Sequence, residues 1–397
     1  MVMASVETFV NSPSGVETAD SGESRSLTLT AVGDIMLDRR LLPPRTFFHH
    51  PDFSSCAGAF DGQIRYPFPN TEESIRWLAD LDRHVHGIAG TSHAAQSVPL
   101  SLPEDGGAHE YPFRGIASEL RASDIVFGNL ECPLSTRGRR LSNDICYCAD
   151  PAFAEAMAAA GFRVLSFANN HCFDYGEAAF LDTLDVLTKN GITTVGAGTS
   201  LDEARRPALI RVKGVTVAFL AYSLVGPPSI WATNDECGAA PMNPMIVGQD
   251  IRRVRRQADF VVLSVHWGVE SRAVPYPRTV ELAHDCIDAG ADVIFGHHPH
   301  VPGSVEVYRG RPIFYSLGNF IFGHDHDDWT DGMMARLHIE RGVLRKAEVI
   351  PITGRYQPTL ASGEAASFVK RRVAAASRRF QTPFTTSAGI ETIQLAR

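Results

Sequence analysis

The chain has no basic surplus. Lys and Arg number 37 against 45 Asp and Glu, a formal net charge of −8. Neutralising nucleic-acid phosphates needs such a surplus, so nucleic-acid binding is excluded as a function class. The local basic run RRVRR (residues 252–256) reads instead as the wet face of a helix. Residues 1–26 lack both a positively charged start and an uninterrupted apolar core. They read as a flexible leader, neither a secretory signal nor a membrane anchor, which predicts a cytoplasmic protein with no membrane partner. The seven cysteines, Cys56, Cys132, Cys146, Cys148, Cys172, Cys237 and Cys286, contain no CxxC pair and are odd in number, which predicts free thiols. No internal repeat and no strong linker divide the chain. What remains, 397 residues that are 44% hydrophobic and 21% charged, is the composition of a globular protein with one large core.

Periodicity then places the elements. Residues 26–32 alternate and are rich in β-formers, so a first strand delivers Gly33 and Asp34 at its end. Residues 41–115 are rich in Pro, Phe, His and Gly, with one helical stretch at 71–81, and read as an inserted lid or substrate loop. A buried strand at 123–127 leads into GNLE (128–131). Asp150 as N-cap with Pro151 starts a helix ending at Ala160. The strand at 163–168 opens into NNHCFDYG (169–176), followed by a helix at 178–187, a strand at 193–195 and a hairpin at 208–222 turning on Lys213 and Gly214. A charged helix at 249–257 precedes the apolar strand 259–265, which ends in HWGVE (266–270); a helix at 278–289 precedes the strand 291–295, which ends in GHHPH (296–300). Hairpins follow at 304–316 and 334–352, the loop around Asp325 reads as a solvated turn, and from residue 363 a basic helix leads into a polar tail. The expected organisation is a leader (1–26), one α/β domain (27–362) carrying the lid, and a C-terminal helix and tail (363–397).

Five strand ends carry ligand-capable polar residues: Asp34; Asn129 with Glu131; Asn170 with His171; His266; and His298 with His300. Adjacent parallel strands end on the same side of a sheet, so these groups should converge on one cleft. Histidine clusters serve metal ligation or proton transfer. Around them, Trp267, Glu270, Arg272 and Asn319 are the residues placed to touch a substrate, beside Asn129 and Asn170.

In the order GD, GNLE, NNH, HWG, GHHPH and YSLGNFIF, the chain resembles the CapA family of poly-γ-glutamate capsule synthesis, a branch of the calcineurin-like metallophosphoesterase superfamily. The resemblance implies a four-layer α/β/β/α sandwich. It also implies two metal half-sites, Asp34 with His300 and Asn170 with His266 and His298, and His171 as the acid. Met36 and Asn129 stand where the superfamily has a histidine and a bridging aspartate, and a neutral amide cannot replace that charge. Glu131 can return only one carboxylate. The expectation is therefore a site with no metal or, failing that, a single zinc- or manganese-like ion on Asp34, Asn170, His266, His298 and His300.

The resemblance extends to a cytoplasmic branch of peptide epimerases that act on lasso-peptide precursors. It implies a cofactor-independent epimerase that inverts a Cα centre near the end of a ribosomal peptide. Asp34, Glu131 and His171 would move protons, while His266, His298 and His300 clamp a carboxylate or enolate. Cys132 and Cys172 are alternative proton carriers. Metal-dependent hydrolysis of a phosphoester or amide, and a non-catalytic part in polymer synthesis, are the competing functions.

Overall fold

The computed structural model describes residues 25–37, 109–141, 146–322, 330–387, 390–393 and 395. The expected leader as far as residue 24, nearly all of the expected lid and the loop around Asp325 lie outside the described residues. In chain order the strands are β1 (Ser26–Met36), β2 (Ile125–Leu130), β3 (Phe162–Ser166), β4 (Thr193–Val195), β5 (Ala197–Gly198), β6 (Ala208–Val212), β7 (Val215–Ser223), β8 (Gly238–Ala239), β9 (Phe260–His266), β10 (Val293–His297), β11 (Val305–Tyr308), β12 (Arg311–Phe314), β13 (Asn319–Phe322), β14 (Asp331–Glu340), β15 (Val343–Thr353), β16 (Thr359–Leu360), β17 (Phe384–Ser387) and β18 (Ile390–Ile393). The helices are α1 (Ala117–Arg121), α2 (Phe153–Ala160), α3 (Glu177–Lys189), α4 (Leu201–Ala204), α5 (Pro244–Val254), α6 (Pro277–Ala289) and α7 (Gly363–Ser377).

The strands form two large sheets. One runs β17-β18-β15-β14-β1-β2-β3-β4, with β13 beside β1 and β16 beside β15; the other runs β11-β12-β10-β9-β7-β6. Burial on both faces explains the near-continuous apolar sequences of β9 and β10. Between the sheets, Phe127 of β2 stacks on Phe219 of β7 and Phe295 of β10, with ring centroids 5.6 and 6.1 Å apart. Each such buried ring contributes about 2 kcal/mol of transfer free energy. The outer face of the six-stranded sheet is covered by Val247, Ile251 and Val254 of α5 and by Leu282, Ala283 and Ile287 of α6. On the other flank α2 buries Phe153 and Met157, and Phe180 of α3 stacks on Phe167 at 5.4 Å. Helix, sheet, sheet and helix therefore lie in four layers, as the sequence predicts.

Three boundaries differ from that reading. Helix α2 begins at Phe153, and Asp150 accepts a hydrogen bond from the Ala152 N–H (2.8 Å) ahead of it. Helix α5 starts five residues before the expected 249. Its N-cap is Asn243, whose Oδ1 accepts from the N–H groups of Met245 and Ile246, with Pro244 in the first turn. The C-terminal tail is not an unstructured appendage, because β17 and β18 form a hairpin that extends the large sheet through β15. Its residues, FTTS and IETI, are rich in β-formers.

Strand register brings the site together. Asp34 on β1 lies beside Asn129 of β2 on one side and Asn319 of β13 on the other, and His266 on β9 pairs with His297 on β10. The approach of β1 to β13 requires Gly33, because a Cβ there would fall inside the contact distance of the Gly318 carbonyl. The Asp34 N–H donates to that carbonyl at 3.0 Å.

Candidate metal centre and acid–base site

Asp34 is fully buried at the meeting of the two sheets. Its Oδ1 accepts from Asn129 Nδ2 (2.9 Å) and faces His297 Nδ1 (3.0 Å). Its Oδ2 accepts from the His298 backbone N–H (3.1 Å) and faces His300 Nδ1 at 3.4 Å. Burial raises its pKa, but the hydrogen bonds and charges of His297 and His300 outweigh burial and hold Asp34 well below the usual carboxylate range. With donors on both oxygens it positions the two histidine-bearing turns.

Asn129 is also buried and turns its amide nitrogen toward the carboxylates. Asn169 fixes this orientation: its Nδ2 donates to the Leu130 carbonyl (2.8 Å) and to Asn129 Oδ1 (3.2 Å), leaving Asn129 Nδ2 to face Asp34. Asn129 therefore braces the acidic cluster and offers no oxygen to a ligand.

Glu131 fills the centre. Its Oε1 is buried with no hydrogen-bond partner, 3.6 Å from His266 Nε2 and 3.8 Å from His300 Nε2. Ligand atoms of Glu131, His266 and His298 lie within 4.8 Å of one another, and those of Asp34, Glu131 and His300 do the same. Glu131 is the member common to both groups, the place a bridging carboxylate takes. It is the one carboxylate that the sequence reading allowed to return after Asn129, two residues later at the same strand end. Met36 is buried beside Phe322 and contributes no ligand. Burial pushes the Glu131 carboxyl well above its ordinary range, and the charges of Asp34, Glu270 and Asp174 add to it.

Burial disfavours positive charge on two of the histidines. Burial holds His266 well below its usual pKa, and burial with the neighbouring His300 lowers His298 to about 3. Neutral imidazoles can ligate a metal. His266 Nε2 donates to Asn170 Oδ1 at 2.7 Å, which places Asn170 beside the ring. Neither ring nitrogen of His298 has a partner, nor has Nε2 of His297. Buried polar atoms without partners are costly, and those of His298, grouped with Glu131 and His266, fit a divalent cation. His298 (φ 94°) and His300 (φ 60°) are both left-handed, the strain that aims two rings from one short turn into the same space.

His171 stands at the edge, 13% exposed, with Nδ1 at 2.8 Å from Asp174 Oδ2. Asp174 also accepts from the Tyr147 N–H at 2.7 Å, and the Tyr147 ring lies 4.6 Å from that of His171. The carboxylate orients the ring and fixes the proton on Nδ1, leaving Nε2 to exchange one. Asn319 faces His300 Nδ1 with its Oδ1 at 3.0 Å. Glu270 is exposed at the mouth, its carboxylate within 4.8 Å of ligand atoms of His298 and His300.

Three expected contributors lie elsewhere. Trp267 is 1% exposed, and its indole N–H donates to the Tyr315 carbonyl at 3.0 Å, so it belongs to the outer core. Cys132 and Cys172 are wholly buried; Cys132 Sγ contacts the Leu37 carbonyl (3.4 Å), and burial raises the Cys172 pKa far from ionisation. Sequence reasoning missed His297 and Asp174. Adjacent residues of a strand point to opposite faces, so His297 and His298 had to serve different partners. The spacing of three from His171 to Asp174 was the signal for that pair.

Two packed sheets that deliver carboxylate, amide and imidazole groups to one edge define the class, an α/β/β/α sandwich with a polar site where the sheets meet. Within that class the chain belongs to the family of the bacterial capsule synthesis protein PGA_cap, whose profile matches residues 28–324. It is 36% identical over 243 residues to the PGA biosynthesis protein CapA of Bacillus subtilis (strain 168), covering 60% of this chain and 64% of that protein. It therefore spans under two thirds of that relative's length. A probable polyglutamine synthesis accessory protein of Mycobacterium tuberculosis (strain CDC 1551 / Oshkosh) is 30% identical over 324 residues, 75% of this chain and 84% of that one. Among solved structures, the NAD nucleotidase of Haemophilus influenzae aligns with a TM-score of 0.41 at 12% identity, over 66% of this chain and 55% of that one. Among the described residues no helix is long and apolar enough to cross a membrane.

Proposed function

We propose that this chain is a metal-dependent enzyme that cleaves or forms an amide bond in a glutamyl-type peptide chain. The observation that carries the proposal is the orphaned, fully buried Oε1 of Glu131, a residue shared by the His266–His298 and Asp34–His300 groups. Glu131, His266 and His298 would hold one divalent ion, with Asn170 beside them; Asp34, Glu131 and His300 form the second group. Such an ion would supply Lewis-acid polarisation of a carbonyl or carboxylate. The remaining steps belong to side chains. His171, oriented by Asp174, moves a proton at the atom bound beside it. Asn129 and Asn169 keep the acidic cluster rigid. The names of the relatives, which speak of capsule and polyglutamine synthesis, support a glutamyl substrate.

The test combines metal analysis with an amide assay. Purified protein equilibrated with zinc or manganese should retain divalent ion, release amine from a γ-glutamyl oligomer, and lose both on replacement of Glu131 by Gln. Amine release that persists after exhaustive chelation would sink the proposal.

Epimerisation at Cα is a second reading, supported by one feature. His171 and Glu270 both neighbour His298, so two titratable groups flank the place where a carbon acid would sit. Incorporation of deuterium at Cα from heavy water without amine release would select this reading over hydrolysis.

A further inference from the structure

The buried groups that Glu131 joins are not the whole of the cluster. A further group is made of Glu270, His298 and His300, whose ligand atoms lie within 4.8 Å of one another. It shares His298 with Glu131 and His266, and His300 with Asp34 and Glu131. Burial separates its members: His298 and His300 are each 2% exposed, as closed to solvent as the inner ligands, whereas Glu270 is exposed. Of the three carboxylates in these groups, Glu270 alone meets solvent.

The backbone holds Glu270 against the histidine turn. On either side of it, the Trp267 N–H donates to the His297 carbonyl (3.1 Å) and the Ser271 N–H to that of Pro299 (2.8 Å). Gly268 (φ 91°) and Ser271 (φ 62°) are left-handed, and a Cβ on Gly268 would stand 3.2 Å from Pro299 Cγ. The loop thus closes on the residue that separates the two histidines. Among the described residues no Lys or Arg pairs with the Glu270 carboxylate; Arg272 lies instead over the Tyr276 ring, 5.1 Å from its centre. Neither ring nitrogen of His298 has a partner. A carboxylate without a counter-ion and a buried imidazole with an open lone pair lie within reach of one ion, and a cation between them would satisfy both.

We propose that Glu270, His298 and His300 form an outer divalent-cation position, through which an ion enters the buried groups. The assignment rests on the reading of the site as a metal centre. Two imidazoles and one carboxylate hold an ion on one side and leave its other positions to water. An ion arriving from solvent keeps part of its hydration shell there, whereas direct entry into the buried groups would strip all of it at once. Because His298 and His300 also belong to the inner groups, passage inward exchanges Glu270 and water for Glu131 while a histidine stays bound. The negative charge at the mouth draws the cation in. Glu270 here captures the ion and passes it on; it does not hold it at rest.

Cobalt(II), which absorbs visible light when imidazole and carboxylate bind it, makes this passage observable without turnover. The full chain, stripped of metal by chelation and desalted, is mixed with cobalt in a stopped-flow spectrometer. The wild type should take it up in two phases, a fast one whose rate rises with cobalt concentration and a slower one whose rate does not. Glu270→Gln should lose the fast phase and fill about tenfold or more slowly, yet hold the same cobalt at equilibrium. Glu270→Asp, which keeps the carboxylate on a shorter stem, should recover part of the fast phase. A single phase in the wild type, or unchanged phases in Glu270→Gln, would overturn the proposal and leave the metal centre standing. Cobalt lost from Glu270→Gln at equilibrium would make Glu270 a resident ligand and overturn it as well. A wild type that binds no cobalt would remove both the outer position and the metal centre on which it rests.

Discussion

Asp34 and Glu131 are carboxylates in one buried space, and their surroundings push them in opposite directions. Asp34 receives donors on both oxygens; Glu131 keeps one oxygen open. Without a cation, Glu131 holds a proton over a pH range in which the unfolded chain has lost it. Between an unfolded pKa near 4.5 and its raised folded value, Glu131 therefore makes stability fall as pH rises. Glu131→Gln in chelated buffer should raise the midpoint of urea unfolding at neutral pH, while the metal-dependent gain seen in the wild type disappears. His298 acts with the opposite slope. Its folded pKa of about 3 lies below the unfolded value near 6.5, so between those two the unfolded state binds the extra proton and stability falls as pH drops. His298→Asn should flatten the acid limb of a stability profile measured from pH 7.5 to pH 4; an unchanged limb would assign that limb to other groups.

At the scale of elements, close backbone approach does the positioning. Gly33 lets the end of β1 lie against the Gly318 carbonyl, and Gly296 lets β10 lie against that of Tyr315. A methyl group at either place has to displace backbone. Gly33→Ala should cost on the order of 3 kcal/mol in chemical denaturation and weaken metal retention more than the stability loss alone explains, because Asp34 is the next residue. Gly191→Ala is the control. Nothing lies within 4 Å of its Cβ position, so its cost comes only from a positive φ of 73° at a helix end and leaves the site untouched. Metal retention reduced equally in both variants would remove the positional argument.

The whole molecule places its site across two sheets. Asp34, Asn129 and Glu131 come from strands of the large sheet, while His266, His297, His298 and His300 come from the smaller one or the turn beyond it. A cation held by both sheets binds only when they are packed, so it stabilises the folded state by mass action. With free metal at about one hundred times its dissociation constant, the gain is about 2.7 kcal/mol, read as a rise in Tm that chelation reverses. A Tm indifferent to zinc, manganese and chelator alike would show that the two sheets share no ion.

Strand ends, helices and most of the site were readable from residues in order, because alternation, capping residues and turn glycines act locally. The three strands that carry Asp34, Asn129 and His297 stand close to where periodicity put them, but each runs two to four residues further, so that these residues lie inside strands. Asn243 as a cap and the C-terminal hairpin escaped that reading: the charged run after α5 outweighed a single Asn-Pro signal, and the edge strands take their place only by pairing with β15. The sequence by itself determined which chemical groups the protein can bring to a cleft. Only the tertiary structure decided their roles, since burial and the register of distant strands decide whether an imidazole is cationic or neutral. The same packing turned the Asn129 amide nitrogen toward Asp34 and set Glu131 between the His266–His298 pair and the Asp34–His300 pair.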